Sequence, residues 1–310
     1  MTNSATALTV GTFDGVHLGH AQILRRLLES SVKLGLSPKV LYFPVPPKFY
    51  ISGKLEGNLI TVSQERKELI SYMGIKDTAE LNFEEKLQNM EAEEFFEKFI
   101  RERHRARALV VGGDFALGRG RKGDSAFLGK MCRKAGIHFS VVDPVKIEGQ
   151  KVSSTLIRSL IKNGDMEKAA ACLGRPYFLS GRVIKGAGIG RKIGFPTANL
   201  QIDYHKIIPQ GIFAAKTLHE GRMFDSVVSV GRRPTFGTLE MRLLVEVHIL
   251  NFSKDIYGDE LKVFFISRLR EEIKFNCAEA LIEQIKKDVS FARKRLLKLS
   301  FLFDKQGKNS

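Results

Sequence analysis

Apolar residues follow two different rhythms along this chain. In the first half, blocks that are apolar nearly throughout alternate with stretches whose apolar positions recur every three or four residues. ALTVGTF (7–13), KVLYF (39–43), RALVVGG (107–113) and IHFSVVDPV (137–145) read as buried strands. Between them, AQILRRLLESSVKLG (21–35) places Ile23, Leu24, Leu27, Leu28 and Leu34 near one helical face before Gly35. SQERKELISYMG (63–74) reads as a helix led by Ser63 and closed by Gly74, and EAEEFFEKFIRERH (91–104) and AFLGKMCRKAG (126–136) read as two more. Strands separated by helices in this order predict an α/β domain with a parallel, doubly wound sheet.

The rhythm changes after about residue 178. YFLSGRVI, GIFAAKTL, DSVVSVG, LLVEVHIL and ELKVFFISRLR are short strand candidates divided by glycine, proline and polar turns, the pattern of an antiparallel sandwich or barrel. A final helix follows over AEALIEQIKKDVSFARKRLLKL, and STLIRSLIKNGDMEKAAACLGRPY reads as two short helices between the halves. Two domains are expected, 1–178 and 179–310, which suits a chain of 310 residues, longer than one ordinary core organises.

Composition sharpens the picture in three ways. The formal charge of +16 implies anionic partners, nucleic acid or phosphorylated small molecules, without choosing between them. The three cysteines, Cys132, Cys172 and Cys277, lie far apart and form no C-x-x-C pair, so neither a disulfide framework nor a structural zinc site is expected. The N-terminus carries no basic segment ahead of a long apolar run, and no stretch approaches a membrane span, so the expectation is a cytoplasmic protein without a membrane partner.

The candidate chemistry starts at TVGTFDGVHLGH (9–20), where a strand ends near Gly11 and a helix begins near Leu18. His17 and His20, three apart, can aim imidazole donors at one phosphate chain, with Gly19 between them leaving room for a nucleotide. Beyond a strand's carboxyl end such donors stabilise charge on a phosphate in transfer. Taken alone the pair fits an ordinary turn with surface or capping groups; the segments that follow decide against that. KVSSTLIR (151–158) offers the hydroxyls of Ser153, Ser154 and Thr155 with Arg158 one turn on, a second anion-binding surface. VVGGDFALGRGRKGD (110–124) is a glycine-rich basic loop after a strand. In GRVIKGAGIGRKIGFPTANL (181–200), Gly186, Gly188, Gly190 and Gly194 let backbone amides approach a polyphosphate, and Lys185, Arg191 and Lys192 add charge. Thr197 and Asn199 supply neutral oxygens suited to Mg²⁺ and phosphate. Glu246 interrupts the apolar strand LLVEVHIL and shares a face with Leu244 and His248; it is either a solvent-facing strand residue or a general base for a primary hydroxyl attacking the γ-phosphate of ATP.

GTFDGVHLGH, GGDFALGRGRKGD and VSSTLIR, in this order, resemble the adenylyltransferase half of the bacterial bifunctional riboflavin kinase/FMN adenylyltransferases, the FAD synthetases of bacteria. GFPTAN, SVGRRPTFG (229–237), VEVHILNFSKDIYGDEL (245–261) and RLREEIKF (268–275) resemble their kinase half. The resemblance covers residues 8 to 300. It implies a Rossmann-like nucleotidyltransferase domain followed by a six-stranded antiparallel β-barrel with a terminal helix. It further implies that riboflavin is phosphorylated by ATP to FMN and that FMN is then adenylylated to FAD, both with Mg²⁺. By motif, Gly11, Phe13, Asp14, Gly19, Ser154, Thr155 and Arg158 would bind the first ATP around His17 and His20, and Asp114 and Arg270 would contact flavin. Gly186, Gly188, Gly190, Lys192 and Gly194 would cover the second ATP, Thr197 and Asn199 would hold the metal, and Glu246 would be the base. One departure stands out: in YFPVPP (42–47), Pro46 occupies the place where the family carries a histidine. The rival readings are a nucleic-acid binder, suggested by the charge and RERHRAR (101–107) but lacking tryptophan and any stacking motif, a nucleotidyltransferase for another mononucleotide, and a chain keeping one activity.

Overall fold

The computed structural model describes residues 5–82, 85–186, 188–234 and 241–306. It divides into two compact units, Met1–Ser154 and Thr155–Ser310.

The first unit contains β1 (Thr6–Gly11), α1 (Leu18–Leu34), β2 (Ser37–Tyr42), α2 (Pro47–Ser52), α3 (Ser63–Tyr72), β3 (Asp77–Glu80), α4 (Glu85–Gln88), α5 (Ala92–Phe95), β4 (Ala106–Gly112), α6 (Ser125–Ala135), β5 (His138–Val142), β6 (Lys146–Ile147) and β7 (Gln150–Lys151). Its five-stranded sheet has the order β3-β2-β1-β4-β5, parallel at every pairing. Because both faces are covered, successive residues of a central strand enter different cores. Leu8 and Val10 of β1 join Leu109 and Val111 of β4 in one core, while Ala7 joins Ala108 and Val110 in the other. That explains why these strands read as unbroken apolar blocks. Helix α1 closes the second core with Leu24 and Leu27, both fully buried, each worth about 2 kcal/mol of transfer free energy. It stops at Gly35, whose φ of 64° is left-handed, as the sequence predicts.

Two local expectations change, and one strand was not anticipated. The helix starting at Ser63 is not capped by that serine. Val62 is the N-cap residue, its N–H donates to the Glu65 carboxylate at 3.1 Å, and the Ser63 hydroxyl turns to Glu80. The residues after Phe95 widen into a π-helix over Phe96–Arg103 instead of continuing as α-helix. The edge strand β3 escaped sequence reading because DTAE is half-exposed and lacks alternation.

The second unit holds α7 (Ser154–Lys162) from its second residue onward, α8 (Met166–Leu173), β8 (Tyr177–Ile184), α9 (Ile189–Lys192), β9 (Ala198–Ile202), β10 (Gly211–His219), β11 (Arg222–Pro234), β12 (Met241–Ile249), β13 (Glu260–Arg270) and α10 (Ala278–Gln306). The six strands close into an antiparallel barrel in the order β10-β11-β12-β9-β8-β13, which leaves no free sheet edge. Five of them coincide with the strand candidates of the sequence. The sixth, β9, is ANLQI, hidden behind the turn-like GFPT. Helix α10 lies against one side through Ala292 and Leu296, packed with Ile212, Ala214, Val227 and Leu250. The Arg270 guanidinium forks onto the nearly buried Asp288 at 2.8 to 3.1 Å and ties β13 to α10. Of the segment SVGRRPTFG, residues 235–237 lie outside the described residues. Among the described residues no helix is long and apolar enough to cross a membrane.

Candidate active sites

In the first unit the strand order reverses between β1 and β4, and ligands of such sheets bind at that reversal, beyond the strands' carboxyl ends. The loop from β1 to α1 stands there. It is held in an uncommon conformation: Phe13 and Val16 have φ of 48° and 40°, and Gly15 has 87°. A left-handed β-branched residue costs energy that the surroundings must offset. They do so through Asp14, whose fully buried carboxylate accepts from the Ile60 and Thr61 N–H groups at 3.1 and 2.9 Å and lies 3.4 Å from the equally buried Arg66. The Gly15 N–H donates to Thr61 Oγ1 at 2.9 Å, and the Ser154 hydroxyl donates to the Asp14 carbonyl at 2.9 Å.

On this base sit the two histidines. His17 is the N-cap of α1, and its Nδ1 accepts from the His20 N–H at 3.3 Å. An accepting Nδ1 carries no proton, so in the neutral ring the proton is on Nε2. The imidazoles stack at 3.6 Å between centroids with 19° between planes, and Phe13 packs against His20 at 5.1 Å. Gly19 serves His17 directly, since a Cβ there would meet the His17 ring at 3.1 to 3.2 Å; Gly11 does the same for the Phe13 ring at 2.9 Å. Thr155 and Arg158 follow Ser154 on α7 within the second unit, Arg158 buried.

The glycine-rich basic loop after β4 is compact. Leu117 and Gly123 exchange both backbone hydrogen bonds at 3.0 Å, and a Cβ on Gly118 would strike the Ala92 backbone at 2.6 Å. Asp114 is exposed on this loop, 2.8 Å from Lys151 Nζ. The hydrogen bond and charge of Lys151, with Arg121 nearby, hold its carboxyl below the usual carboxylate range.

Arg66 is the residue sequence reading missed here. Besides Asp14 it donates to the Phe43 carbonyl at 2.6 Å and the Thr61 carbonyl at 2.9 Å, joining the loop after β2, which contains the divergent Pro46, to the histidine loop. In SQERKELISYMG it reads as one more solvent-facing charge. Arg66→Met is expected to destabilise the protein by about 3–5 kcal/mol, because it strands a buried carboxylate. Chemical denaturation of the two proteins measures the difference.

In the second unit, β12 turns Val245 and Val247 into buried positions and Glu246 to the opposite face. Cross-strand register sets Glu246 beside Asn199 of β9 and Ser229 of β11. Thr197 Oγ1 lies 3.5 Å from Glu246 Oε1. Three of the predicted residues, Thr197, Asn199 and Glu246, thus form one oxygen-rich group. The glycine loop bears on it: a Cβ on Gly186 would fall 2.0 Å from Asn199 Nδ2, and one on Gly190 would fall 3.2 Å from Thr197 Oγ1. Gly188 and Gly194 instead adopt left-handed φ of 68° and 86° in open space. A cleft of about 400 Å³ adjoins the group, lined by Arg191, Thr197, Val183, Phe252, Ile256 and Tyr257 among others. Lys192 is exposed on α9 at the loop's end. Arg270 sits instead at the β13–α10 junction, engaged with Asp288.

No thiol joins either group. Cys132 is buried, and burial pushes its thiol up to about 12.

Comparison with known proteins bears on both halves. The FAD synthetase family model matches residues 1–156, and the riboflavin kinase family model matches residues 173–296. A bifunctional riboflavin kinase/FMN adenylyltransferase of Haemophilus influenzae is 36% identical over 289 residues, 93% of each chain. One from Bacillus subtilis is 33% identical, covering 91% of this chain and 90% of its own. Among solved structures, one titled as a macrolide-efflux protein from Streptococcus pneumoniae superposes with a TM-score of 0.86 at 29% identity, over 94% of this chain and 95% of its own.

Proposed function

The chain belongs to the family of bifunctional riboflavin kinase/FMN adenylyltransferases, and from that premise we propose which residues carry each of its two reactions. The enzyme phosphorylates riboflavin with ATP to FMN, then transfers AMP from ATP to FMN, giving FAD and pyrophosphate. In our reading, residues 1–178 perform adenylyl transfer and residues 179–310 perform phosphorylation.

The observation that carries the kinase assignment is the Thr197–Asn199–Glu246 group beside the cleft. Glu246 takes the proton of the riboflavin primary hydroxyl as its oxygen attacks the γ-phosphorus of ATP, and ADP leaves. The cleft receives the ATP, and the glycine loop from Gly186 to Gly194 covers its phosphates. Hard oxygen donors with room for substrate phosphates are the set Mg²⁺ takes, so Thr197 and Asn199 would hold that ion. When bound, it neutralises phosphate charge.

For adenylyl transfer, a phosphate oxygen of FMN attacks the α-phosphorus of ATP and pyrophosphate departs. His17 and His20, fixed by the cap and by stacking, donate to the phosphate oxygens where negative charge grows. Asp14, Gly11, Phe13 and Gly19 contribute by shaping the loop that presents them, while Ser154 anchors that loop through the Asp14 carbonyl. Asp114 on the basic loop offers a hydrogen-bond acceptor for the flavin. Arg270 supports the flavin side from behind by fixing α10.

The test is incubation of the purified protein with riboflavin, ATP and Mg²⁺, followed by chromatography of the flavins. FMN should accumulate first and FAD follow, with both absent when Mg²⁺ is chelated. Riboflavin left unchanged under these conditions would overturn the reading.

A further inference from the structure

We propose that His248 is a positioning residue for phosphoryl transfer, holding the Pro196 carbonyl so that Thr197 is fixed against Glu246. The proposal rests on the kinase site described above and adds a residue to it. His248 lies two positions beyond Glu246 on β12, hence on the same face. Its Nδ1 is 2.8 Å from the Pro196 carbonyl oxygen. A carbonyl only accepts, so Nδ1 must carry the proton and the hydrogen bond has one direction.

The need for such a clamp follows from where the β9–β12 ladder ends. Backbone register runs from Leu200–Val245 through Asn199–Glu246 to Ala198–Val247 and stops there. Asn199 is therefore placed by strand pairing, but Thr197 lies one residue past Ala198, where that pairing ends. Its own link to Glu246, at 3.5 Å, is at the far limit of a hydrogen bond and too weak to set the position alone. The shorter His248 bond to the preceding residue does that work.

The same clamp reaches the glycine loop. The Phe195 N–H donates to the Gly190 carbonyl at 2.8 Å, and the Phe195 ring meets the His248 imidazole edge-on at 5.6 Å and 73°. One imidazole thus ties β12 to the Phe195–Pro196 turn, and through that turn to the loop over the phosphates. Residues that orient metal or phosphate ligands in this indirect way typically cost about 10- to 100-fold in affinity or rate when removed.

The experiment uses the full-length protein and three variants: His248→Leu, which removes the donor, His248→Asn, whose amide nitrogen can stand near the place of Nδ1 and donate to the same carbonyl, and Glu246→Gln as reference. Riboflavin phosphorylation is followed at varied Mg²⁺ and riboflavin, and FMN adenylylation is assayed in parallel. For His248→Leu, kcat for FMN formation should fall by about 10- to 100-fold and the Mg²⁺ needed for half-maximal rate should rise, with KM for riboflavin unchanged. His248→Asn should recover most of the loss, and FMN adenylylation should stay at the wild-type rate in both. A near-normal kcat for His248→Leu, or a His248→Asn as slow as His248→Leu, overturns the clamp while an inactive Glu246→Gln leaves the site itself standing. An active Glu246→Gln overturns the site and the clamp with it.

Discussion

Glu246→Gln is expected to lower FMN formation by about 10²–10⁴-fold, the usual cost of losing a general base. Glutamine keeps the size of the side chain and an oxygen for the Thr197 hydroxyl, which lies 3.5 Å from Glu246 Oε1, but it takes up no proton near neutral pH. The substitution sits on the face of β12 opposite the buried Val245 and Val247, so the barrel core is untouched and the fold should persist. FMN added from outside should still become FAD at the wild-type rate. Flavin chromatography after feeding riboflavin or FMN separately reads both rates. Near-normal FMN formation would make Glu246 an ordinary strand residue.

His17→Ala and His20→Ala are each expected to slow FMN adenylylation by about 10²–10³-fold, the range for removing one preorganised donor to a developing oxyanion. His17 complicates its own test because it also caps α1, and losing a cap costs about 0.5–2 kcal/mol of stability. His17→Asn separates the two roles: asparagine can cap the helix but brings no imidazole. It should melt near the wild-type temperature and still be slow. Riboflavin phosphorylation should be unchanged in all three variants. A His17→Asn enzyme with wild-type adenylylation would assign His17 to capping alone.

Local features of these sites were legible in the sequence, and their long-range supports were not. Alternating blocks and helical stripes gave both fold classes because burial on two faces and on one face leave different periodicities. The histidine pair was visible because the residues that shape it are neighbours in sequence. Arg66 was invisible for the opposite reason: its carboxylate partner, Asp14, is 52 positions away, and a charge on a polar helix gives no sign of being buried. Strand β9 hid behind proline and glycine, and with it the pairing that brings Asn199 to Glu246. The expectation for Gly19 changes in the same spirit, since the space it leaves is taken first by the His17 ring.

In the proposed scheme the kinase and adenylylation centres of one chain act in succession, FMN being the product of the first reaction and a substrate of the second. The most direct measurement mixes Glu246→Gln with His20→Ala, each slowed by about 100-fold or more in one step, and supplies riboflavin, ATP and Mg²⁺. Either variant alone should yield FAD from riboflavin only at its residual rate, about 100-fold or more below wild type. The mixture should yield it faster, because FMN released by the intact kinase centre of one chain is adenylylated by the intact centre of the other. A mixture that makes FMN but no more FAD than either variant alone, although Glu246→Gln alone converts added FMN, would contradict the account.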